Sequence, residues 1–202
     1  MSDCDRGLRV LDIALNPVAK EYLPAHSSDG VFSGVKVDLA LGYHASKSEN
    51  PLLDIKGNQN SPLCPLEVPL QKMFLGCVPV KVAMSITEHS ETQISVFGCA
   101  MLQVVEKWIS TQLEKSKQDP PAVVALFIHG HYWEYYIVCR KVDVQNGNET
   151  VETPFLVYGP WPAGQTSTLL GVFRLVRFID VLRNWIANKW LKWFETATGN
   201  ES

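Results

Sequence analysis

Residues 78–103 constrain the fold more than any other part of the chain, because an apolar strand there runs directly into a helix. The first part, residues 79–88, is rich in Val, Ala, Met and Ile and predicts a strand that is buried on both faces. Apolar residues then recur at helical spacing and predict a long helix over residues 91–115. They are Ile94, Phe97, Met101, Val105 and Trp108. A buried strand followed at once by a buried helix is typical of α/β proteins.

Four further strands and a second helix are predicted from the same patterns. The predicted strands are residues 35–43, 122–129, 132–141 and 151–158, and the predicted helix is residues 168–195. The second and third of these strands meet at Gly130, which favours a hairpin. The order strand, strand, helix, three strands, helix predicts an α/β fold with a central mixed sheet flanked by helices.

The chain length predicts one compact domain. Its 202 residues, 46% of them hydrophobic, are enough for one sizeable core but few for two. Residues 1–34 contain Pro17, Pro24 and a Ser/Gly-rich end, and we expect an irregular lead-in with a short helix. Residues 35–198 form the predicted α/β domain. Within it, the long polar segment 44–69 is predicted to be a loop that closes as a lid.

Charge and cysteine content limit the location and the partners. The formal net charge is -3, so no overall positive field draws the protein to a phosphate backbone, and nucleic acid is not the favoured partner. The five cysteines form no C-x-x-C pair, which favours free thiols in a reducing compartment. No signal peptide and no apolar run of about 18 residues is present. We expect an intracellular, cytoplasmic protein without a membrane anchor.

Several segments in this order carry a family resemblance. The strand containing Asp38 looks like a first acidic strand, residues 80–89 look like a strand that normally reads Ser-Ile-Glu-Thr-Lys, and residues 92–108 look like a glutamine-bearing helix. Residues 127–133 resemble a Gly-His hairpin followed by an aromatic residue. The ordered set, which covers most of the chain, resembles the PD-(D/E)XK nuclease-like domain that is common in filamentous fungi. The resemblance implies a restriction-endonuclease-like fold.

The resemblance also implies a catalytic pattern that this chain keeps only in part. In working enzymes of that superfamily, the first Asp and a Glu two residues before a Lys hold a divalent metal, and the Lys helps to activate water. Asp38 matches the first acid, but Thr87 falls where the Glu stands and His89 where the Lys stands. Glu88, a further catalytic candidate, points to the opposite face of the predicted strand, and only a bulge or register slip would turn it toward Asp38. We therefore expect a degenerate motif and no cofactor, with Mg²⁺ required only if the protein is still a nuclease.

The altered pocket suggests other chemistry. On the predicted strands Asp38, Thr87 and His89 converge on one cleft, with Tyr43 or His44 at the strand end. A carboxylate beside an imidazole forms a titratable pair suited to general acid/base catalysis on an uncharged substrate. The alternative is that His89 only hydrogen-bonds to Asp38 and fills the space left by the lysine.

Further ligand-binding candidates lie on the predicted helix and hairpin. Gln93 fits the glutamine of the family helix. His129, His131 and Trp133 surround Gly130, but no Cys or acid at zinc spacing accompanies the two histidines, and a structural turn is the simpler interpretation. A literal D-x-K at Asp54-Ile55-Lys56 lies in the polar loop, where such short patterns arise by chance.

Three functional hypotheses remain. The first, which we prefer, is a diverged nuclease-like protein that binds a small organic ligand as an isomerase, cyclase or lyase of a fungal secondary-metabolism pathway. The second is a Mg²⁺-dependent nuclease whose motif lies in another register. The third is a noncatalytic binding or scaffold protein. The sequence leaves the oligomeric state open.

Overall fold

The computed structural model shows a six-stranded sheet with helices packed against it. It describes residues 8–13, 18–23, 35–44, 74–83, 88–112, 119–140 and 155–197. The strands are β1 (Leu8–Asp12), β2 (Leu39–His44), β3 (Phe74–Ala83), β4 (Val123–His129), β5 (Tyr132–Arg140) and β6 (Phe155–Gln165). The helices are a 3-10 turn (Lys20–Tyr22), α1 (Glu88–Gln112), α2 (Leu169–Trp185) and α3 (Lys192–Ala197), and a π-helical stretch (Ile186–Leu191) joins the last two.

The strands lie side by side in chain order. Every neighbouring pair is antiparallel except β3 and β4, which are parallel. A parallel pair needs a crossover connection, and α1 lies between these two strands in the chain. The predicted α/β fold with a central mixed sheet is therefore confirmed.

Helices α1 and α2 pack on opposite faces of the sheet. Tyr136 of β5 packs in a buried cluster with Ile94 of α1. The neighbouring residue, Tyr135, has its ring 5.0 Å from that of Phe178 in α2. Because successive strand residues point to opposite faces, these two contacts place the helices on opposite sides of β5. The three layers enclose the core on both faces of the sheet.

The core is built from the inner faces of these helices. Phe97 and Met101 of α1 are buried. Trp190 and Phe194 are also buried, and they lie in the C-terminal helical segment, which consists of the π-helical stretch and α3. Helix α1 comes so close to β5 that a Cβ atom on Gly98 would lie 2.6 Å from Cγ2 of Val138. Glycine is therefore required by packing at this position, where any larger residue displaces the helix from the sheet.

Two sequence predictions need correction. Leu8–Asp12, predicted to be part of an irregular lead-in, forms β1 and pairs with β2 along its whole length. The strand predicted at residues 79–88 runs instead from Phe74 to Ala83, and Glu88 already begins α1. The predicted loop at residues 44–69, apart from His44, lies outside the described residues. So does the literal motif at residues 54–56.

The side chains of two cysteines are among those that the structure describes. Cys99 and Cys139 are free, and burial raises the pKa of the Cys99 thiol to about 11. Across the described portion of the chain, every helix is too short or too polar to cross a bilayer.

Candidate active site

Asp38 lies immediately before β2 and contacts β3 through both its backbone and its side chain. Its N–H donates to the carbonyl of Val80 at 3.0 Å. Its carboxylate Oδ2 accepts a hydrogen bond from the N–H of Val82 at 2.6 Å, and Oδ1 lies 3.4 Å from Nζ of Lys81. Both carboxylate oxygens are therefore engaged by neighbouring residues of β3.

The register of β2 and β3 explains why Asp38 meets Lys81. Leu39 is paired with Val80 and Ala40 with Pro79, so Asp38 falls beside Lys81 one step further along. Pro79 and Lys81 are two residues apart and share one face of the sheet. The Lys81 side chain is only 16% exposed and that of Asp38 31% exposed, so the ion pair is partly shielded from water.

A second polar pair lies on β4 and β5. Nε2 of His129 is 3.4 Å from Oε2 of Glu134, and both atoms are buried. The His129 ring stacks with the rings of Phe127 and Tyr132, whose centroids are 5.4 and 5.5 Å away. The two aromatic rings hold the imidazole in one orientation. The His129–Glu134 pair therefore contributes to the rigidity of the β4–β5 hairpin.

Tyr136 connects this face of the sheet to α1. Its hydroxyl donates to Oε1 of Glu91 at 3.1 Å. Burial raises the pKa of Tyr136 well above its usual range, and the hydrogen bond to Glu91 and the charges of Glu91 and Glu134 act in the same direction. Tyr136 is therefore a neutral hydrogen-bond donor throughout the physiological pH range.

Comparison with known families decides the ancestry of this fold. A family model of the PD-(D/E)XK nuclease superfamily matches residues 6–191, a span that contains all six strands and the Asp38–Lys81 pair. The chain belongs to the PD-(D/E)XK nuclease superfamily. Searches of curated proteins and of solved structures found no match to this superfamily member.

The lysine that lies beside Asp38 is Lys81. It is eight residues earlier in the chain than residue 89, where the resemblance put the lysine of the superfamily pattern. In the superfamily pattern the second metal-binding acid stands two residues before the lysine. Counted back from Lys81, that position is Pro79, which is buried and offers no oxygen ligand in its side chain. Asp38 and Lys81 thus have the residue types of two of the three residues in that pattern, and a proline stands two residues before the lysine.

The described side chains do not fit a divalent metal. A hard cation requires several oxygen ligands, but both oxygens of Asp38 already contact donors on β3. Among the described residues, no three His, Cys, Asp or Glu side chains are grouped so that they could hold a metal ion. The Lys81 ammonium supplies the positive charge beside Asp38.

Strand β3 ends at Ala83 and not at the predicted residue 88. The argument from strand alternation, which placed Thr87 and His89 in the cleft, therefore no longer supports that placement. Thr87 lies outside the described residues, and Glu88 and His89 belong to the first turn of α1. Strand alternation therefore does not apply to Glu88 and His89, and the prediction that placed these two residues on the strand is wrong. Catalytic roles for Thr87, Glu88 and His89 stay predictions.

The remaining candidates lie on three different elements. Tyr43 and His44 end β2, and Gln93 is half-buried in α1. Nδ1 of His131 is 2.9 Å from Oγ1 of Thr166, which ties the β4–β5 turn to the segment before α2. Trp133 is half-buried in β5. The ligand-binding roles of these residues and of His129 stay predictions.

Sequence reasoning missed Lys81 and Glu134. A signal for Lys81 was present, because it is the one charged residue within the apolar run from Val78 to Ala83. A charged residue inside a buried strand normally has a charged partner. Its partner, Asp38, is 43 residues away in the sequence, so only the pairing of β2 with β3 identifies it.

Proposed function

We propose that this superfamily member has lost metal-dependent nuclease chemistry and binds a small organic ligand in the cleft around Asp38. One observation carries the proposal: Asp38 is paired with Lys81 and with the Val82 N–H, and the residue two before Lys81 is the buried Pro79 rather than an acid. A cation at this position would meet one carboxylate and a neighbouring ammonium, which is an unfavourable arrangement.

The Asp38–Lys81 pair offers a ligand both an acceptor and a donor. The Asp38 side chain is 31% exposed and the Lys81 side chain is 16% exposed, so polar groups of a ligand can reach both. A carboxylate that removes a proton and an ammonium that returns one to another atom of the same molecule perform an isomerisation without net loss of atoms. Cyclase and lyase reactions use the same two steps. Lys81 takes the role of proton-donating partner of Asp38 that the sequence suggested for His89.

The nuclease alternative is favoured by one observation. A lysine does lie beside Asp38, as it would if the motif were in a different register from the one predicted by sequence comparison. The described residues hold no group of three possible metal ligands, which argues against it. In the third alternative, a scaffold, the ion pair only fastens β2 to β3.

The setting of this function follows from the sequence alone. The resemblance to fungal proteins supports a role in a fungal biosynthetic pathway, and five cysteines without a C-x-x-C pair support a reducing, cytoplasmic location.

We expect the wild-type protein to bind neither Mg²⁺ nor Mn²⁺ and to leave DNA and RNA intact. The physical reason is the shortage of oxygen ligands around Asp38 among the described side chains. Calorimetric titration with each metal, followed by cleavage assays with and without chelator, measures both properties. Saturable Mn²⁺ binding that disappears in Asp38→Asn would contradict the proposal and favour the nuclease alternative. Asparagine is the right substitution because it retains an acceptor for the Val82 N–H.

We expect the protein to retain specific small molecules from a metabolite extract. Bound compounds are separated by size exclusion, released by denaturation and identified by mass spectrometry. Asp38→Asn and Lys81→Met should lose them, whereas Lys107→Met should not. Lys107 is a matched control because it also forms an ion pair, at 2.9 Å from Glu21, but on the exposed surface. Equal retention by all variants would favour the scaffold alternative.

A further inference from the structure

The first two turns of α2 expose an apolar surface. Between residues 169 and 176 only Gly171 and Leu175 are buried, and Arg174 is the one charged residue. The remaining side chains are apolar and exposed, and we call them the α2 patch: Leu169, Leu170, Val172, Phe173 and Val176. Leu169 is 73% exposed and Phe173 is 63% exposed. Isolated exposed apolar residues are ordinary, but a contiguous group on two turns of one helix marks a contact surface.

The exposed charges of α2 are mostly positive. Arg174, Arg177 and Arg183 are all exposed, and Asp180 is the single acid of the helix. Arg177 and Arg183 stand three residues before and three residues after Asp180, so both are its neighbours on the helix surface. Three positive charges and one negative charge leave the exposed side of α2 with a local excess of positive charge.

The α2 patch and most of the charges occupy different halves of the helix. Arg177, Asp180 and Arg183 all follow the α2 patch, and Val181 is the exposed apolar residue among them. At a rise of 1.5 Å per residue, Asp180 lies about 10 Å along the axis from Phe173. A helix that tilts its first two turns into an apolar phase therefore keeps Asp180 and its two arginine neighbours at the polar boundary.

We propose that α2 docks on the surface of an anionic lipid bilayer. The α2 patch lies among the outermost acyl chains, and the three arginines lie among the phosphate headgroups. Helices that combine exposed apolar and basic residues bind membranes through buried apolar area and through attraction to anionic lipids. The long stem of Arg174, at the margin of the α2 patch, lets its guanidinium reach the headgroups. The contact is peripheral, with α2 lying in the interface.

Charge and shape favour an anionic bilayer over the other occupants. A second copy of the chain would bring two sets of three arginines together with only two acids. A nucleic-acid backbone would engage the arginines but leave the α2 patch in water. At 100° per residue the α2 patch spans an arc of about 160°, which fluid lipid can enclose without a matching groove. Because the whole chain has a formal net charge of -3, the attraction is local and orients α2 toward the surface.

Flotation of the full chain with lipid vesicles tests this proposal. One set of vesicles is phosphatidylcholine alone, and the other is an equimolar mixture of phosphatidylcholine and phosphatidylserine. We expect binding to the mixed vesicles that weakens as salt is raised, and little binding to phosphatidylcholine alone. A wild-type protein that floats with neither set, or equally with both, overturns the proposal. Either result would leave an acidic protein or a nucleic acid as the occupant of α2.

Variants of α2 test whether this helix makes the contact. Phe173→Asp should lower the partition coefficient on the mixed vesicles more than tenfold, and Arg177→Gln and Arg183→Gln about fivefold each. Asp180→Asn should raise it, because a repelled charge is removed. Val10→Asp is the matched control: it adds the same charge at a residue that is 61% exposed, but on β1 at the other edge of the sheet. Circular dichroism checks that each variant is folded. Equal binding by Phe173→Asp and Val10→Asp overturns the proposal.

Discussion

Replacing Pro79 with glutamate is expected to create a Mn²⁺ site beside Asp38, where the described side chains of the wild-type protein form no metal-binding group. Position 79 lies on the same face as Lys81 and diagonally across from Asp38 in the β2–β3 register. Side chains on such diagonals are within reach of each other, and two carboxylates can share one cation. The new site should also be adjacent to Lys81, as in the superfamily pattern.

The effect should be visible in thermal unfolding. Without metal, Pro79→Glu should be less stable than wild type, because it buries a charged carboxylate where proline is now enclosed. Mn²⁺ at about 100 times its dissociation constant should stabilise the variant by about 2.7 kcal/mol. For a domain of this size, that corresponds to a rise in Tm of roughly 5–11 °C.

Two variants control this experiment. Pro79→Gln has the same shape as Pro79→Glu but lacks the charge, so it should lose stability without responding to Mn²⁺. The double variant Asp38→Asn/Pro79→Glu should lose the response as well, since only one carboxylate remains. A wild-type protein that responds to Mn²⁺ as strongly as Pro79→Glu would show that Pro79 does not stand at the missing ligand position.

The site was harder to predict than the fold for a specific physical reason. Strands β4 and β5 and helix α1 follow from local patterns, because apolar runs, a glycine turn and helical spacing all lie within short windows. The end of β3 does not follow from them. Met84 and Ile86 continue the apolar character beyond Ala83, so composition cannot show where the strand stops. That error moved the expected partner of Asp38 from Lys81 to His89.

Strand β1 was missed because its structure depends on a distant part of the chain. Leu8–Asp12 contains Arg9 and Asp12 among apolar residues, and no regular alternation distinguishes it from an irregular segment. In the folded protein it pairs with β2, about 30 residues later. Contacts of this kind, like the Asp38–Lys81 pair, are fixed by strand register and cannot be inferred from neighbouring residues alone.

Trp190→Ala is expected to cause the largest loss of stability among single substitutions in the C-terminal helical segment. Trp190 is 2% exposed, and its ring lies 5.6 Å from that of Trp193. Its Nε1–H donates to the carbonyl of Ala122, just before β4, at 3.1 Å. Truncation therefore leaves a cavity and an unpaired carbonyl together. The free energy of unfolding should fall by about 3–5 kcal/mol.

Urea unfolding followed by circular dichroism, at one protein concentration, measures this loss without relying on tryptophan fluorescence. Trp190→Phe should retain most of the packing but lose the hydrogen bond to Ala122, and should cost about 1–3 kcal/mol. Trp161→Ala is the surface control: Trp161 is 38% exposed on β6, so its loss should be less than half that of Trp190→Ala. If Trp190→Ala unfolds no more easily than Trp161→Ala, then the C-terminal helical segment does not anchor the sheet through Ala122, and the core packing described for Trp190 is wrong.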